Sequence, residues 1–280
     1  MAHVREWPAV LRARDDLLKR WQLVPSQVLA WTRYSLVTAV TRADGSAAVL
    51  KIARDGREAR GEIAALRIWN GQAAARLLAG DAESGGMLLE RVEPGRMLAQ
   101  RATDDDAAAT LVAACLLRQL GCAPPTDHGL QSLDRWLGAF RRLRPVIGTG
   151  QSGLPVDLFR RADRLRADLL ASTTKPVVLH GDLHHFNILS AARAPWLAID
   201  PKGLLGDRAF DVCQLLLNPI TVPVGVNQRR LAILCAELEL DPTRARAWCF
   251  VHAVLNALWN LEEGRPLEHR LAWIGHVLAL

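Results

Sequence analysis

The chain has 280 residues, a length that suits one large domain or two lobes packed around a cleft. Half of the residues are hydrophobic and 23% are charged, which excludes a disordered chain. The formal net charge of +6 comes mostly from arginines scattered along the sequence. Since no basic run is interleaved with aromatic residues, we expect no nucleic-acid partner.

The first part of the chain is predicted to be rich in β-structure. Short apolar runs fill residues 27–52, and Asp44-Gly45 between two of them predicts a β-hairpin. Apolar residues at helical spacing over 58–70, ended by Asn70-Gly71, predict a helix that packs on this sheet. Residues 87–92 predict another strand, followed by a turn at 93–95.

The second part of the chain is predicted to be mainly helical. Residues 103–106 supply Thr and Asp side chains that suit the start of a long helix ending at Leu120. Later apolar periodicity predicts helices at 212–217, 228–239, 243–261 and 267–280. Short strands are expected at 177–179, 188–189 and 196–199, around a polar loop.

These elements predict an α+β fold with two lobes. A small β-rich lobe takes residues 1–92, and a larger, mainly helical lobe takes residues 93–280. The glycine-rich loop at 148–153 has no following Lys-Ser/Thr and no strand-to-helix context. We therefore do not expect it to be a phosphate-binding loop.

The polar loop after Leu179 carries the residues with the clearest chemistry. Asp182 and Asn187 are five residues apart, and Asp200 follows at the end of an apolar strand. Phosphoryl transfer needs one carboxylate to orient the attacking hydroxyl, and hard oxygen ligands for the Mg²⁺ that bridges the phosphates. The residue types and their spacing therefore predict a phosphoryl-transfer centre.

Three motifs carry a resemblance to a known family. They are HGDLHHFNIL at 180–189, IDPKG at 199–203 and the GDxxFD pattern at 206–211. The sequence resembles aminoglycoside phosphotransferase-like kinases, and within them the streptomycin 6-phosphotransferase and hydroxyurea-resistance kinases, from about Trp31 to Pro219. This resemblance implies a protein-kinase-like fold.

The resemblance also implies roles for the catalytic loop. Asp182 would be the catalytic base, Asn187 and Asp200 would bind Mg²⁺, and His180 and Asp211 would hold the loop by hydrogen bonds. The nucleotide would be ATP, with GTP left open. Because a free Asp has a pKa of about 3.9, we expect Asp182 to act mainly by orienting the hydroxyl.

The nucleotide-binding residues are also taken from the resemblance. Lys51 would contact the α- and β-phosphates, with Glu62 as its favoured carboxylate partner and Glu58 as the competitor one helical turn earlier. The segment expected to cover the phosphates, at 30–35, contains no glycine, so Ser35 or Thr32 would donate to the β-phosphate and Arg33 would add charge. The backbone from Glu90 to Val92 would form the hinge that pairs with adenine.

The acceptor is expected to be a small hydroxylated molecule. Glu262 and Glu263 are candidates for binding a polycationic acceptor, although adjacent glutamates at a helix end also suit a solvent-facing position. Asp207 is either a substrate contact or a helix N-cap. Lys202, directly after Asp200-Pro201, is either a charge near metal and phosphates or an ordinary surface charge.

Several functions therefore stay open at this point. The favoured function is phosphorylation of an aminoglycoside such as streptomycin; the alternative is phosphorylation of hydroxyurea or another small hydroxylated metabolite. A non-catalytic nucleotide-binding module is a further possibility. His180, His184 and His185 could instead form part of a zinc hydrolase site.

The remaining expectations concern the environment of the protein. Five cysteines without a CxxC pair predict free thiols and a cytoplasmic location. Residues 1–14 lack the apolar core of a secretory signal. No run of 18 uncharged apolar residues occurs, so no membrane span is expected. A monomer or a weak homodimer is expected.

Overall fold

A computed structural model describes residues 7–218 and 222–280. The first residues of the predicted N-terminal lobe lie outside these ranges, and so does Pro219, where the family resemblance was expected to end. The elements of the first part are α1 (Pro8–Arg20), β1 (Val24–Trp31), β2 (Ser35–Thr41), β3 (Ala47–Ala53), α2 (Gly56–Trp69), β4 (Leu77–Asp81) and β5 (Gly86–Glu90). The five strands form one antiparallel sheet in the order β1-β2-β3-β5-β4.

The predicted hairpin is confirmed as the β2–β3 connection. Gly45 adopts a φ of +81°, and the N–H of Ser46 donates to Oδ1 of Asp44 at 3.0 Å. The positive φ explains why glycine follows Asp44 in this turn. Register along the hairpin is unbroken and places Lys51 opposite Val37, in the middle of the sheet.

The predicted helix of the first part is also confirmed, with its start moved by two residues. The carboxylate of Asp55 accepts the N–H of Arg57 at 2.8 Å, so α2 begins at Gly56. Asn70 adopts a left-handed φ of +46° and ends the helix after Trp69.

The helix α1 was not predicted from the sequence. Val10 and Leu17 are buried, and Leu11 and Leu18 pack beside them at partly buried positions. The helix packs on the sheet where Gly86 leaves space, because a Cβ on Gly86 would lie 2.0 Å from Cδ1 of Leu17. Tertiary packing therefore holds this helix in place.

The expected helix start at 103–106 is correct in kind and wrong in detail. Thr103 and Asp104 end a separate, unpredicted helix, and the cap is Asp105, whose carboxylate accepts the N–H of Ala108 at 2.9 Å. The elements of this region are β6 (Pro94–Met97), α3 (Leu98–Asp104) and α4 (Asp106–Leu120). The predicted end at Leu120 is confirmed.

The rest of the chain is helical apart from short strands. The middle elements are β7 (Gln131–Ser132), α5 (Leu133–Trp136), α6 (Ala139–Gly148), α7 (Val156–Ala171), β8 (Val177–Leu179), β9 (Ile188–Ala191), β10 (Trp196–Ala198) and β11 (Leu204–Gly206). The last four helices occur where predicted, with shifted ends: α8 (Cys213–Leu217), α9 (Val224–Leu238), α10 (Pro242–Glu262) and α11 (Glu268–Leu278). The α+β architecture, sheet-rich first and helical later, is confirmed.

Two small sheets carry the polar loop. One has the order β10-β9-β6 and the other β7-β11-β8. The strand β8 leads into the loop and β9 leads out of it, so the loop is fixed at both ends by different sheets. Within the described ranges, every helix is too short or too polar to cross a lipid bilayer.

Three buried histidines make the stability of this fold depend on pH. Burial lowers the pKa of His252 to about 3, with help from Arg270, and lowers that of His180 to about 3. Burial and Arg230 lower the pKa of His185 to about 4. An unfolded His takes up a proton below about pH 6.5 that these folded side chains do not accept. Their stabilising contribution is therefore present above pH 6.5 and is lost as the pH falls.

We predict that the free energy of unfolding decreases between pH 7 and pH 5. His252 alone contributes roughly 2 kcal/mol of this loss at pH 5, from 1.36 kcal/mol per pKa unit. Denaturant titrations of the wild type and of His252→Gln would measure it, and the variant should show a flatter pH dependence. The exposed His269→Gln serves as control. An equal pH slope in both variants would contradict the prediction.

Candidate active site

The loop between β8 and β9 is anchored by His180. This residue is fully buried, its ring stacks on Trp69, and burial lowers its pKa to about 3, so the imidazole is neutral. Its Nε2 lies 3.0 Å from the carbonyl oxygen of Ile199, and its Nδ1 accepts the N–H of Asp182 at 3.3 Å. The proton therefore resides on Nε2, and the ring connects the loop to the end of β10.

Asp211 fixes the same loop by hydrogen bonds to its backbone. Its two carboxylate oxygens accept the N–H groups of His180 and Gly181, each at 2.7 Å. Burial raises the pKa of Asp211 to about 7, although these two donors oppose the shift. Gly181 has a φ of +78°, which favours glycine at the bend. The structure thus places both residues where the expected loop-holding role requires them.

Asp182 follows this bend, and its side chain stays partly open to solvent. The side chain is 21% exposed, with Nζ of Lys202 at 3.6 Å and Nε2 of His184 at 3.9 Å. Burial raises its pKa, against the opposing effect of Lys202 and His184. A carboxylate that is partly open and not hydrogen-bonded to protein is free to accept a bond from a ligand hydroxyl.

Asn187 and Asp200 supply the oxygen atoms expected for a cation. The Nδ2 of Asn187 donates to the carbonyl of Asp182 at 3.0 Å, which leaves its Oδ1 for another partner. The N–H of Ile199 donates to the carbonyl of Asn187 at 2.9 Å and brings the two segments together. Asp200 has a left-handed φ of +60°, a strained conformation that is common at functional sites. One amide and one carboxylate oxygen fit Mg²⁺, which keeps several waters and binds phosphate oxygens.

A buried ion-pair cluster connects this site to the first sheet. Nζ of Lys51 on β3 lies 2.8 and 2.6 Å from the two carboxylate oxygens of Glu62 on α2, and it also pairs with Asp200. Burial would lower the pKa of Lys51, but Asp200 and Glu62 outweigh it and raise the pKa above its usual value. Burial would likewise raise the pKa of Asp200, yet Lys51 and Lys202 hold it below the usual range. Both groups are therefore charged.

The geometry separates the two glutamates considered for Lys51. Glu62 is 4% exposed and forms the pair, whereas the structure gives Glu58 no ion pair with Lys51 within 4 Å. Because α2 carries Glu62 one turn further toward the core, only that carboxylate reaches the ammonium.

Two glycines allow the backbone of α2 to contact the segment between β10 and β11. A Cβ on Gly61 of α2 would lie 2.4 Å from the carbonyl oxygen of Lys202. A Cβ on Gly203, which has a φ of +63°, would lie 1.9 Å from the carbonyl oxygen of Gly61. The two backbones are therefore in direct contact, and any side chain at either position would move Glu62 relative to Asp200.

The β1–β2 turn is closed by a hydroxyl group. The Oγ1 of Thr32 accepts the N–H of Ser35 at 3.1 Å, and the N–H of Thr32 donates to the carbonyl of Ser35 at 3.0 Å. Ser35 is buried at the start of β2. Thr32 stabilises this turn, which has no glycine.

The expected hinge lies at the end of β5. The N–H of Glu90 donates to the carbonyl of Arg76 at 3.0 Å, and its carboxylate accepts from Arg193 at 2.9 and 3.1 Å. Arg193 also donates to the carbonyls of Gly71 and Ala74. The side chain of Glu90 is thus used by the protein, and Val92 follows after the strand. No sequence pattern had indicated Arg193.

The acidic residues expected near the acceptor have arginine partners. Glu262 accepts from Arg142 at 2.7 and 3.0 Å. Glu263 pairs with Arg265 and accepts from Arg33 of the β1–β2 turn at 2.7 Å. The Arg33–Glu263 pair therefore connects the turn to the end of α10.

The carboxylate of Asp207 is bound by other parts of the protein. It accepts from the N–H of Ala209 at 3.0 Å, from Nε of Arg244 at 2.5 Å and from Nε1 of Trp248 at 2.7 Å. With three protein donors and 9% exposure, it acts as the N-cap that the sequence suggested as one of two roles. This geometry disfavours the other role, a substrate contact.

The histidines do not converge on a common point. His180 is bonded to Ile199, His184 lies near Asp182, and His185 is buried near Arg230. Among the residues that the structure describes, no three His, Cys, Asp or Glu side chains are arranged as a metal site. The geometry therefore gives no support to zinc ligation by this trio.

The sequence matches the family model of aminoglycoside/hydroxyurea antibiotic resistance kinases over residues 20–264. The chain belongs to this kinase family. It is 38% identical over 272 residues to the streptomycin 6-kinase of Streptomyces glaucescens, covering 92% of this chain and 85% of that one. It is 36% identical over 274 residues to the hydroxyurea phosphotransferase of Kitasatospora aureofaciens, covering 94% and 77%. The expected family and phosphotransferase class are thereby confirmed.

A solved structure shows the same fold for this kinase. The choline kinase LicA from Streptococcus pneumoniae superposes with a TM-score of 0.68, covering 96% of this chain and 99% of that chain. Since the sequence identity is 12%, the likeness concerns the fold alone. The expected protein-kinase-like fold is confirmed.

We predict that Gly61→Ala impairs phosphotransfer by this kinase. Since the new Cβ meets a backbone oxygen, α2 must shift, which should cost about 1–3 kcal/mol of stability and displace Glu62 from Lys51. Thermal unfolding and turnover would measure both effects. The control is Gly275→Ala in α11, where a Cβ meets nothing within 4 Å. Wild-type turnover in Gly61→Ala would show that the close approach is dispensable.

Proposed function

We propose that this kinase transfers the γ-phosphoryl group of ATP, with Mg²⁺, to a hydroxyl of an aminoglycoside of the streptomycin type. The observation that carries the proposal is that Lys51, Asp182, Asn187 and Asp200 lie together in one cluster of connected residues. A non-catalytic binding module would have no use for a partly exposed carboxylate next to the two oxygen ligands.

The nucleotide side of the proposal rests on charge. The Lys51 ammonium, held by Glu62, is placed to bind α- and β-phosphate oxygens. Asn187 and Asp200 would hold Mg²⁺, which neutralises phosphate charge during transfer. Ser35 at the β1–β2 turn and the backbone from Glu90 to Val92 complete the proposed nucleotide site. The geometry does not separate ATP from GTP, and ATP is the nucleotide we propose.

Asp182 would orient the attacking hydroxyl and receive its proton. His180 and Asp211 fix the backbone N–H groups that lead up to Asp182, and Asn187 holds its carbonyl, so the carboxylate needs little reorganisation. Positioning of this kind can account for roughly 7–11 kcal/mol of barrier reduction.

The choice of acceptor follows the relatives and one structural feature. Streptomycin is cationic, and Glu262 and Glu263 lie at the end of α10 with arginines that a cationic acceptor could displace. Exposed pairs of this kind are weak, so exchange would cost little. Hydroxyurea is the second candidate, because a hydroxyurea phosphotransferase is 36% identical to this chain.

The remaining parts of the proposal concern organisation. We place the boundary between the nucleotide-binding lobe and the helical lobe at residues 92 and 93, after the hinge. A cytoplasmic location would supply ATP and keep the five cysteines reduced. The active unit would be a monomer or a weak homodimer.

The test is ATP consumption with streptomycin, other aminoglycosides, hydroxyurea and simple amino alcohols, with mass spectrometry to locate the added phosphate. Phosphorylated streptomycin would support the proposal. Transfer only to hydroxyurea would select the second candidate, and no Mg²⁺-dependent transfer to any compound would overturn both.

We predict that Asp182→Asn lowers kcat by about 10²–10⁴-fold, because the amide cannot accept the hydroxyl proton. Affinity for ATP should change less than about threefold, since Lys51 and the metal ligands are untouched. Steady-state kinetics and calorimetry would measure the two quantities. Asp127→Asn, on an exposed loop, is the matched control. Near wild-type kcat in Asp182→Asn would remove the residue from the proposed role.

We predict that Glu263→Gln raises KM for streptomycin about tenfold while leaving KM for ATP unchanged, because it removes an anion facing a cationic acceptor. Arg33→Ala should have the opposite effect on KM for the acceptor, since it removes one of the two arginines that pair with Glu263. Initial-rate kinetics with each substrate varied would measure this, with exposed Glu268→Gln as control. An unchanged KM for streptomycin in both variants would show that Glu263 does not bind the acceptor.

A further inference from the structure

Lysine is rare in this chain, and two of its lysines are largely buried. The 35 basic residues include only four lysines, at positions 19, 51, 175 and 202. Lys19 and Lys175 are exposed on the surface, whereas Lys51 and Lys202 are largely buried and pair with Asp200 and Asp182. Both of these buried positions carry a compact ammonium and not the planar guanidinium that supplies most of the positive charge in this chain.

The backbone of Lys202 is fixed on two sides. Its N–H donates to the carbonyl of His180 at 2.7 Å, which ties it to the catalytic loop. Its carbonyl oxygen packs against Gly61 of α2, where a Cβ would lie at 2.4 Å. The side chain therefore starts from a defined position, between the loop and the helix that carries Glu62.

The side chain of Lys202 is largely enclosed, but its ammonium makes no hydrogen bond to the described residues. Its side chain is 19% exposed, and its ion pair is to Oδ2 of Asp182 at 3.6 Å, too long for a hydrogen bond. By contrast, Lys51 makes two hydrogen bonds to Glu62. Other charges that face Lys202 are Asp200, Glu58 and Lys51. The described residues supply no acceptor within hydrogen-bond distance of this ammonium, so its three N–H donors are available to a bound anion.

We propose that Lys202 is a second phosphate-binding lysine, which holds the γ-phosphoryl group between Asp182 and Asp200 while Lys51 holds the α- and β-phosphates. This inference rests on the proposed function. It gives Lys202 a catalytic role distinct from that of Lys51, because the group it contacts is the one that is transferred.

The transfer step assigns each change to an atom. The acceptor oxygen forms its bond to the γ-phosphorus as the bond from phosphorus to the β,γ-bridging oxygen breaks. The bonding pair leaves with ADP, and the hydroxyl proton passes to Asp182. Lys202 donates hydrogen bonds to the equatorial oxygens throughout and exchanges no proton. As an ammonium next to the developing charge, it lowers the barrier electrostatically.

The first experiment compares affinities for ATP and ADP, measured by calorimetry with Mg²⁺ and without acceptor. Lys202→Met should weaken ATP binding about tenfold or more and change ADP binding less than about twofold. Lys51→Met should weaken both nucleotides, and exposed Lys175→Met should weaken neither. In the same Lys202 variant, kcat should fall about 100-fold or more. An unchanged ratio of ATP to ADP affinity, with reduced kcat, would make Lys202 a residue that only positions Asp182 and would overturn the proposal.

The second experiment uses the wild-type protein and does not depend on the folding of a variant. Lysines are acetylated with an amine-reactive ester, and the extent at each position is measured by mass spectrometry. Lys51 should be protected by ADP and by a non-hydrolysable ATP analogue, whereas Lys202 should be protected further only by the analogue. Lys19 and Lys175 provide internal references. Equal labelling of Lys202 with both nucleotides would overturn the proposal.

The two experiments distinguish this inference from the function on which it rests. If the wild type binds no nucleotide and transfers no phosphate, the proposed function fails. If the wild type is active and both the affinity ratio and the labelling of Lys202 ignore the γ-phosphate, only the role of Lys202 fails.

Discussion

The shared ammonium of Lys51 is the interaction on which the active site depends. It joins β3 to α2 through Glu62, and it joins β3 to the segment between β10 and β11 through Asp200. A single buried charge therefore connects the first sheet to the later part of the chain. Removing Lys51 would leave the buried carboxylate of Glu62 without its partner, which typically costs about 3–5 kcal/mol. A bound metal ion and phosphates would interact with the same groups. The cluster therefore keeps Lys51 and Asp200 charged and close together before these ligands bind.

The rest of the catalytic loop is positioned by hydrogen bonds that involve its backbone and two buried side chains. His180 connects the loop to Ile199, and Asp211 holds two consecutive N–H groups. Direct backbone contact between Gly61 and Gly203 sets the distance from α2 to the strands. Among the residues that the structure describes, none donates a hydrogen bond to the carboxylate of Asp182 or to the Oδ1 of Asn187, which suits a site that binds charged ligands.

The acidic pair at the end of α10, which we propose binds the acceptor, is built differently. Glu262 and Glu263 are held by partly exposed arginines that come from separate elements, α6 and the β1–β2 turn. Such pairs are weak and easily exchanged in water. The ion pairs of Glu262 and Glu263 are therefore more exposed than the Lys51–Glu62 pair, and family membership fixes the reaction more firmly than the acceptor.

The sequence by itself determined the fold class, the hairpin, most helices and the family, because turn residues, apolar periodicity and the three motifs are local signals. Tertiary structure decided the rest. It placed α1 by packing on Gly86, chose Glu62 over Glu58, and committed Asp207 to Arg244 and Trp248. It also revealed Arg193 as a connector. These outcomes depend on contacts between residues that lie far apart in the chain. Spacing along a sequence does not indicate which of several distant side chains contacts a given partner in the folded structure.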